Sequence, residues 1–317
     1  MNAIPKRRQI SMPGPQKIIV ATILTLFAAG CFNETREHSL IREQGYITEH
    51  APEAVAHYYD GVLYAEAGGE KLTLDVSRPE GEGPFPALII IHGGGWTLHT
   101  NMVMEGMARY ITNRGYAVFN INYRVYPTPV KAMVDDCLGA VIWVKEHAAE
   151  YHADPNRIAV TGDSAGGHLT AMIVTAARDP AFTPTYTGTG RYDASINCAI
   201  PIYGVYDFPA MAKLPIAKPL FKEVLGASYQ EKPEWYRQLS PITYVRPGLV
   251  PQLIVCGNLD PLYPQNRAYE KRLQETGNPV EFYLAQGQTH AFLNYFWKKP
   301  AQHAYEAMIA FLDRNLK

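Results

Sequence analysis

The chain has 317 residues, 47% of them hydrophobic and 19% charged, and its 29 lysines and arginines nearly balance its 30 aspartates and glutamates. This composition excludes a disordered or low-complexity chain, four cysteines are too few for a disulfide scaffold, and the lack of a basic excess argues against a nucleic-acid partner. The length suits one large domain or two small ones.

Residues 1–30 differ from the rest of the chain in charge. They contain four basic residues and no acidic residue, so the remainder carries 25 basic and 30 acidic residues. An uncharged, mostly apolar run covers 18–30. It is shorter than the roughly 20 residues that span a bilayer and is typical of the core of a secretory signal peptide. We therefore predict a signal peptide over 1–30, starting at Met1 or at Met12.

Small residues precede Cys31, in the order Ala28-Ala29-Gly30-Cys31. This pattern resembles the lipobox of bacterial lipoproteins, which implies that the Cys31 thiol is acylated and anchors the chain to a membrane. We expect export to the bacterial cell envelope, with residues 31–60 as a tether and lead-in. A simple cleaved secretory signal and an uncleaved anchor are the alternatives.

Patterns typical of strands and helices alternate through residues 61–317, the predicted catalytic domain. We predict a β-hairpin over 62–76 and then strands over 87–91, 116–121, 157–160, 197–202, 253–255 and 280–284. The predicted helices cover 102–113, 130–151, 166–178, a segment ending near 276, and 301–316. This alternation predicts an α/β fold with a mostly parallel central sheet and helices on both faces. Residues 208–250, rich in proline and aromatic residues, are predicted to form a small cap insertion.

The sequence Gly-Asp-Ser-Ala-Gly over 162–166 is a G-x-S-x-G motif. It lies between a predicted strand and a predicted helix, which is the setting of a nucleophile elbow. Glycines flank such a serine because the turn is strained and crowded. We therefore predict Ser164 as a nucleophile, against the alternative of a tight glycine-rich turn without chemistry.

A glycine run, His92-Gly93-Gly94-Gly95-Trp96, follows the predicted strand 87–91. Backbone N–H groups in such a run can stabilise a tetrahedral oxyanion, with the N–H of Ala165 as a further donor. A flexible loop or a phosphate cradle is the alternative, but the chain has no P-loop and no dinucleotide-binding glycine motif. For His92 we predict a structural role, and for Trp96 a place in the core or a pocket wall.

A serine nucleophile needs a base and an acid that orients the base. Asp260 and His290 each follow a predicted strand, in the order serine, acid, histidine that this topology requires. Both would lie at the carboxyl edge of the sheet, where open α/β sheets hold their sites. Asp207 is the second candidate for the acid, and His303 is predicted to be a surface residue.

Four motifs, HGGGW, GDSAGGHL, GNLDPL and GQTHAF, occur in that order. Together they resemble the α/β-hydrolase esterases of the hormone-sensitive-lipase type and the related bacterial acetyl and feruloyl esterases, over about residues 60–316. The resemblance implies a catalytic Ser164, Asp260 and His290, with Gly94, Gly95 and Ala165 as oxyanion donors. It also shows a departure, because residues 97–101 stand where the family usually has a glycine.

These features predict a serine carboxylesterase that hydrolyses short-chain or carbohydrate-linked acetyl or feruloyl esters through an acyl-enzyme, with no cofactor and no metal. The acidic mature chain favours a small neutral ester over a polyanion. The alternatives are a kynurenine-formamidase-like amidase, a peptidase of the prolyl-oligopeptidase type and a non-catalytic binding protein on the same fold. The other three cysteines (Cys137, Cys198 and Cys256) are predicted to be small buried hydrophobic residues.

Overall fold

The computed structural model describes residue 50 and residues 52–189, 193–215 and 217–317. The predicted signal peptide and Cys31 lie outside the described residues, so both stay predictions. Within the described part the strands are β1 (His57–Ala67), β2 (Glu70–Arg78), β3 (Phe85–Ile91), β4 (Ala117–Ile121), β5 (Ala153–Asp163), β6 (Cys198–Ile202), β7 (Gln252–Gly257) and β8 (Val280–Ala285).

The α-helices lie between and after these strands. They are α1 (Glu105–Thr112), α2 (Val130–His147), α3 (Ala165–Ala176), α4 (Phe208–Met211), α5 (Lys218–Leu225), α6 (Pro233–Gln238), α7 (Tyr263–Glu275) and α8 (Lys299–Leu316). Short 3-10 helices cover Asn101–Met104, Ala148–Tyr151, Pro241–Tyr244 and Phe292–Asn294.

The eight strands form one sheet in the order β1-β2-β4-β3-β5-β6-β7-β8. Only the pairs β1/β2 and β2/β4 are antiparallel, and all other neighbours run parallel. β3 is apolar and almost entirely buried, as expected for a parallel strand covered on both faces. The predicted α/β-hydrolase fold is confirmed.

Alternate residues of β3 point into two separate cores. Ile89 and Ile91 belong to the core that includes Leu138 of α2, whereas Leu88 and Ile90 belong to the core under α1 and α8. This period of two, with apolar residues at every position, requires helices on both faces of the sheet. The carboxyl ends of the parallel strands are thereby left as the edge on which loops assemble.

The predicted elements differ from the observed ones mainly at their ends. β1 begins at His57, inside the predicted lead-in 31–60, because His57 pairs with Arg78 across the hairpin. The predicted helix 102–113 begins instead as a 3-10 turn, where the Thr100 hydroxyl accepts the N–H of Met102. The predicted helix 130–151 ends at His147 and continues as a 3-10 turn.

The cysteines described by the structure fit the predicted role. Cys137, Cys198 and Cys256 are buried and free, and burial raises the pKa of the Cys198 thiol to about 12. Among the described residues, no helix combines enough length and apolarity to cross a membrane.

Residues 208–250, here called the cap segment, lie between β6 and β7. They contain α4, α5, α6 and the 3-10 helix Pro241–Tyr244. Two of their phenylalanines, Phe208 and Phe221, pack edge-on against Trp96. The segment therefore contacts the loop that follows β3, at the carboxyl edge of the sheet.

Candidate active site

Ser164 lies at the turn between β5 and α3, in a strained backbone conformation. Its φ of 53° and ψ of −112° fall in a region that non-glycine residues rarely adopt. Two backbone hydrogen bonds hold the turn: the Ser164 N–H donates to the Ile202 carbonyl at 3.0 Å, and the Ser164 carbonyl accepts the His168 N–H at 3.0 Å. Such strain persists only where the surrounding structure enforces it.

The glycines beside Ser164 are required by backbone crowding. A Cβ on Gly162 would lie 2.6 Å from the carbonyl oxygens of both Gly166 and Ile91, and a Cβ on Gly166 would overlap the Ile91 carbonyl oxygen. These neighbours are backbone atoms, which cannot move aside as a flexible side chain can. The G-x-S-x-G spacing thus lets β3, β5 and α3 approach closely enough to form the turn.

Replacing Gly166 by alanine is therefore expected to destabilise the fold by about 3 kcal/mol or more, the upper range for overpacking. Urea unfolding of the purified variant measures this loss. Gly248→Ala is the matched control, because its Cβ would meet nothing within 4 Å and only its φ of +82° is unfavourable, at a cost of about 1–2 kcal/mol. Equal losses in the two variants would show that crowding at Gly166 is relieved by backbone movement.

The structure brings Ser164, His290 and Asp260 together in one hydrogen-bonded chain. His290 Nε2 lies 2.9 Å from the Ser164 hydroxyl oxygen, and His290 Nδ1 lies 2.8 Å from Asp260 Oδ2. The second Asp260 oxygen accepts the Leu262 N–H at 2.7 Å. Because a carboxylate accepts only, the network assigns a proton to Nδ1 and leaves Nε2 free to take the serine proton. Chemically, this arrangement can activate a serine oxygen for nucleophilic attack.

The other candidate acid and histidine lie elsewhere. Asp207 accepts the Ala210 N–H at 2.9 Å and caps the N-terminus of α4. His303 is exposed on α8, as predicted. Both aspartates follow parallel strands, and the loops after those strands bring Asp260, not Asp207, to His290.

Charges around His290 favour its protonated form. Burial lowers the pKa of His290, but the charge and hydrogen bond of Asp260, and then the charge of Asp163, raise it above its usual value overall. Because a protonated imidazole cannot accept the serine proton, activity falls as the pH drops through this pKa.

We therefore expect the acid limb of kcat/KM for ester hydrolysis to have its midpoint above pH 6.5, the usual histidine value. Asp163→Asn should move that midpoint downward, since it removes a buried negative charge that favours the imidazolium. Initial rates from about pH 5 to about pH 9, a range that spans ordinary histidine titration, give the midpoints of the wild type and of Asp163→Asn. A midpoint below 6.5 in the wild type would contradict the raised pKa.

The loop after β3, residues 92–99, is here called the glycine loop. Gly94, Gly95 and Trp96 all have left-handed φ values, of 109°, 60° and 62°. The Gly94 carbonyl accepts the N–H groups of Thr97 and Leu98, both at 3.1 Å, which closes a tight turn. A Cβ on Gly94 would overlap the Leu98 carbonyl, so glycine is required there.

The predicted oxyanion donors come from two segments, the glycine loop and the start of α3. Gly94 and Gly95 belong to the glycine loop, and Ala165 is the first residue of α3, where helix N–H groups have no partner within the helix. The loop lies against the elbow, because a Cβ on Gly93 would fall 2.8 Å from Asp163 Oδ1. Their role as oxyanion donors stays a prediction.

His92, the first residue of the glycine loop, is held in place by contacts with Tyr123. It is fully buried, stacks on Tyr123 at 4.3 Å and accepts the Tyr123 hydroxyl on its carbonyl at 2.9 Å. Burial lowers the pKa of His92 to about 3, so the imidazole is neutral at neutral pH. These contacts fit the structural role predicted for His92.

Tyr203 is one of the aromatic residues in sequence segments expected to surround the site, and it lies beside His290. Its φ is 32°, its ring centroid lies 4.8 Å from that of His290, and its hydroxyl donates to Asp163 at 3.3 Å. Tyr206, from the same set, instead stacks on Tyr269 in the core. No pattern in the sequence marks a strained tyrosine, because β6 reads as an ordinary buried strand.

Two further features bear on ligands. In the part of the chain that the structure describes, no group of three or more His, Cys, Asp or Glu side chains could hold a metal ion. A cavity of about 360 Å³ lies within the cap segment, between α5 and α6, and is lined by residues that include Lys218, Lys222 and Tyr236. Neither Ser164 nor His290 lines it, so it is separate from the hydrogen-bonded chain.

Curated relatives with similar sequences carry esterase names. Esterase LipQ of Mycobacterium tuberculosis is 32% identical over 233 residues, which cover 70% of this chain and 54% of LipQ. Carboxylesterase NlhH of the same species is 30% identical over 221 residues, covering 68% of this chain and 69% of NlhH. The chain thus spans about half the length of LipQ and two thirds of NlhH.

Solved structures that resemble this chain also include an esterase. The apo form of Thermogutta terrifontis esterase 2 superimposes with a TM-score of 0.69 at 26% identity, over 83% of this chain and 96% of that one. A butyrate-bound structure of the same esterase gives 0.61 at 25% identity, over 78% and 92%. Residues 74–274 match the BD-FAE family. Since that match covers more than half of the chain, this protein belongs to the BD-FAE family of hormone-sensitive-lipase-like esterases.

Proposed function

We propose that the chain is a serine carboxylesterase that works through an acyl-enzyme. The observation that carries this proposal is the chain of hydrogen bonds from Asp260 through His290 to the strained Ser164, at 2.8 and 2.9 Å. The esterase relatives support the reaction class. Carboxylate, imidazole and hydroxyl in this order form the arrangement that acyl transfer requires.

In the proposed first step, His290 Nε2 accepts the Ser164 proton as the serine oxygen attacks the ester carbonyl. The N–H groups of Gly94, Gly95 and Ala165 stabilise the oxyanion. His290 then returns its proton to the leaving alcohol, and the acyl group stays on Ser164. Water, activated by His290, then attacks the acyl-enzyme, which releases the carboxylic acid product and restores Ser164. Asp260 holds the imidazole in the required tautomer and stabilises its charged form.

The proposed substrate is a small neutral ester, with a short acyl chain or an acetyl or feruloyl group on a carbohydrate. The similar Thermogutta terrifontis esterase has been solved with butyrate bound, which supports a short acyl group. The acidic balance beyond residue 30 also favours a neutral ligand over a polyanion.

A substrate panel tests this proposal. Purified protein is assayed on p-nitrophenyl acetate, butyrate and palmitate, on methyl ferulate, on acetylated xylan and on N-formylkynurenine, with Ser164→Ala as the background control. We expect hydrolysis of the acetyl and butyryl esters and little of the palmitate. Turnover of the formamide alone would favour the amidase alternative, and no turnover by folded protein would favour the non-catalytic one.

We also infer that the chain is exported and anchored through a lipid on Cys31, on the basis of the positive charge, apolar run and small residues that precede it. Expression of the full chain in a bacterium fed a radiolabelled fatty acid tests this. The label should enter the wild type and not Cys31→Ala, which should leave the membrane fraction. Equal labelling of both would contradict the assignment.

A further inference from the structure

Trp96 ends the glycine run in a conformation that is unusual for a tryptophan. It has a φ of 62° although it is not glycine, and its side chain is 2% exposed. Its carbonyl accepts the Tyr126 N–H at 2.8 Å. Since Trp96 directly follows Gly94 and Gly95, its position limits the backbone conformations that the two glycines can adopt. An interaction that holds the indole therefore also holds the glycine loop.

His168 provides that interaction from α3, four residues after Ser164. The indole Nε1–H of Trp96 donates to His168 Nδ1 at 3.2 Å, and His168 Nε2–H donates to the Leu239 carbonyl at 2.8 Å. Since an indole N–H only donates, Nδ1 must be unprotonated, and the imidazole is a neutral connector with one accepting and one donating nitrogen. His168 is fully buried, and burial lowers its pKa to about 4.

The chain of hydrogen bonds ends in the cap segment. Leu239 terminates α6, and the next residue, Ser240, is fully buried and accepts the Phe208 N–H at 2.9 Å. Phe208 packs on both rings of the pair, 5.3 Å from Trp96 and 4.7 Å from His168 between centroids. The glycine loop, the nucleophile helix and the cap segment therefore meet at one buried imidazole.

We propose that Trp96 and His168 are positioning residues that align the oxyanion donors and couple their alignment to the cap segment. This inference rests on the proposed esterase function and assigns to that site two residues whose side-chain hydrogen bonds go to each other and to the cap segment, not to the acid, base or nucleophile. In the strained glycine loop, the Trp96–His168 hydrogen bond supplies the restraint, and Leu239 fixes the imidazole that provides it. Loosening either bond misaligns Gly94 and Gly95 while leaving Ser164, His290 and Asp260 in place.

The test compares Trp96→Phe, His168→Phe and the double variant, which keep an aromatic ring at each position and remove the hydrogen bonds. We expect each single variant to lower kcat on p-nitrophenyl butyrate by about 10- to 100-fold, up to the loss seen for one oxyanion donor, with KM changed by less than about threefold. The double variant should be no slower than the slower single variant, because the two residues act as a unit.

A second measurement reads the oxyanion donors directly. Rates of covalent modification are compared for paraoxon, which has P=O, and its thiono analogue, which has P=S, since sulfur is a weak acceptor. The wild-type preference for P=O should fall in Trp96→Phe, a change that general loosening of the fold does not produce. Trp143→Phe is the matched control, since Trp143 is also buried and stacks on His147 on α2.

Three outcomes are decisive. An unchanged P=O preference, additive losses in the double variant, or an equal loss in Trp143→Phe would each overturn the positioning role. If His168→Phe does not fold, the kinetics and the P=O preference of Trp96→Phe alone test the positioning role. An inactive wild type would instead overturn the proposed esterase function, so the two failures are distinguishable.

Discussion

Replacing Ser164 by alanine is expected to lower kcat/KM for a short-chain ester by about 10⁴- to 10⁶-fold, the range found when a serine nucleophile of a triad is removed. The Ser164 hydroxyl lies 2.9 Å from His290 Nε2, so the substitution removes the nucleophilic oxygen of the hydrogen-bonded chain. Steady-state kinetics on p-nitrophenyl butyrate measure the loss.

The fold should survive this substitution, because alanine keeps the Cβ of serine and the change removes only one oxygen from a half-buried residue. Ser195→Ala is the matched control, since Ser195 is exposed on the loop before β6. That variant should keep wild-type kinetics. Residual activity of Ser164→Ala within tenfold of the wild type would exclude an acyl-enzyme on Ser164, whatever its thermal stability.

Asp260→Asn is expected to lower kcat by about 10⁴-fold, as when the acid of a serine triad is made neutral. An asparagine amide can donate to His290 Nδ1, which would force the imidazole proton onto Nε2. In that tautomer Nε2 cannot accept the Ser164 proton, so the base is lost while the geometry is kept. Pre-steady-state acylation rates measure the effect on the first step.

Asp207→Asn gives the matched comparison. Asp207 also follows a parallel strand, but it caps α4 through the Ala210 N–H, and asparagine caps a helix about as well as aspartate. We expect near-wild-type activity and stability for this variant. A loss at Asp207 that equalled the loss at Asp260 would show that Asp260 is not the acid of this site.

The three residues of the hydrogen-bonded chain could be predicted from the sequence because the sheet topology determines where they lie. Ser164, Asp260 and His290 each follow a parallel strand, and such strands deliver their ends to one edge of the sheet. The strands could be placed because buried parallel strands are short apolar runs, as in β3. Both aspartates follow a strand and precede His290, and Asp260 was preferred because Asp207 falls where the predicted cap insertion begins.

The supports of the site could not be read in the same way. Trp96 and His168 are 72 residues apart, and nothing in their local sequence shows that the indole donates to the imidazole. Tyr203 has a strained φ, and its ring and hydroxyl contact His290 and Asp163, which are distant in the sequence. Such contacts are tertiary, so local propensity and periodicity carry no information about them.

Element ends were missed for a related reason. The predicted helix 102–113 has the right periodicity, but its first turn is a 3-10 helix whose Asn101 side chain donates to the Asn120 carbonyl on β4. A side chain bonded to a neighbouring strand favours the tighter turn over the α-helix. Hydrophobic periodicity shows which face of a helix is buried, but it does not show side-chain hydrogen bonds that compete with the helix at its ends.

In the proposed reaction, Ser164 becomes covalently bound to the substrate's acyl group. The most direct test incubates folded protein with a fluorophosphonate and locates the adduct by peptide mass spectrometry. We predict one adduct per chain, on the peptide that contains Ser164, with loss of ester hydrolysis in proportion to labelling. An adduct on another residue, or full hydrolytic activity in protein labelled at Ser164, would show that Ser164 is not the nucleophile.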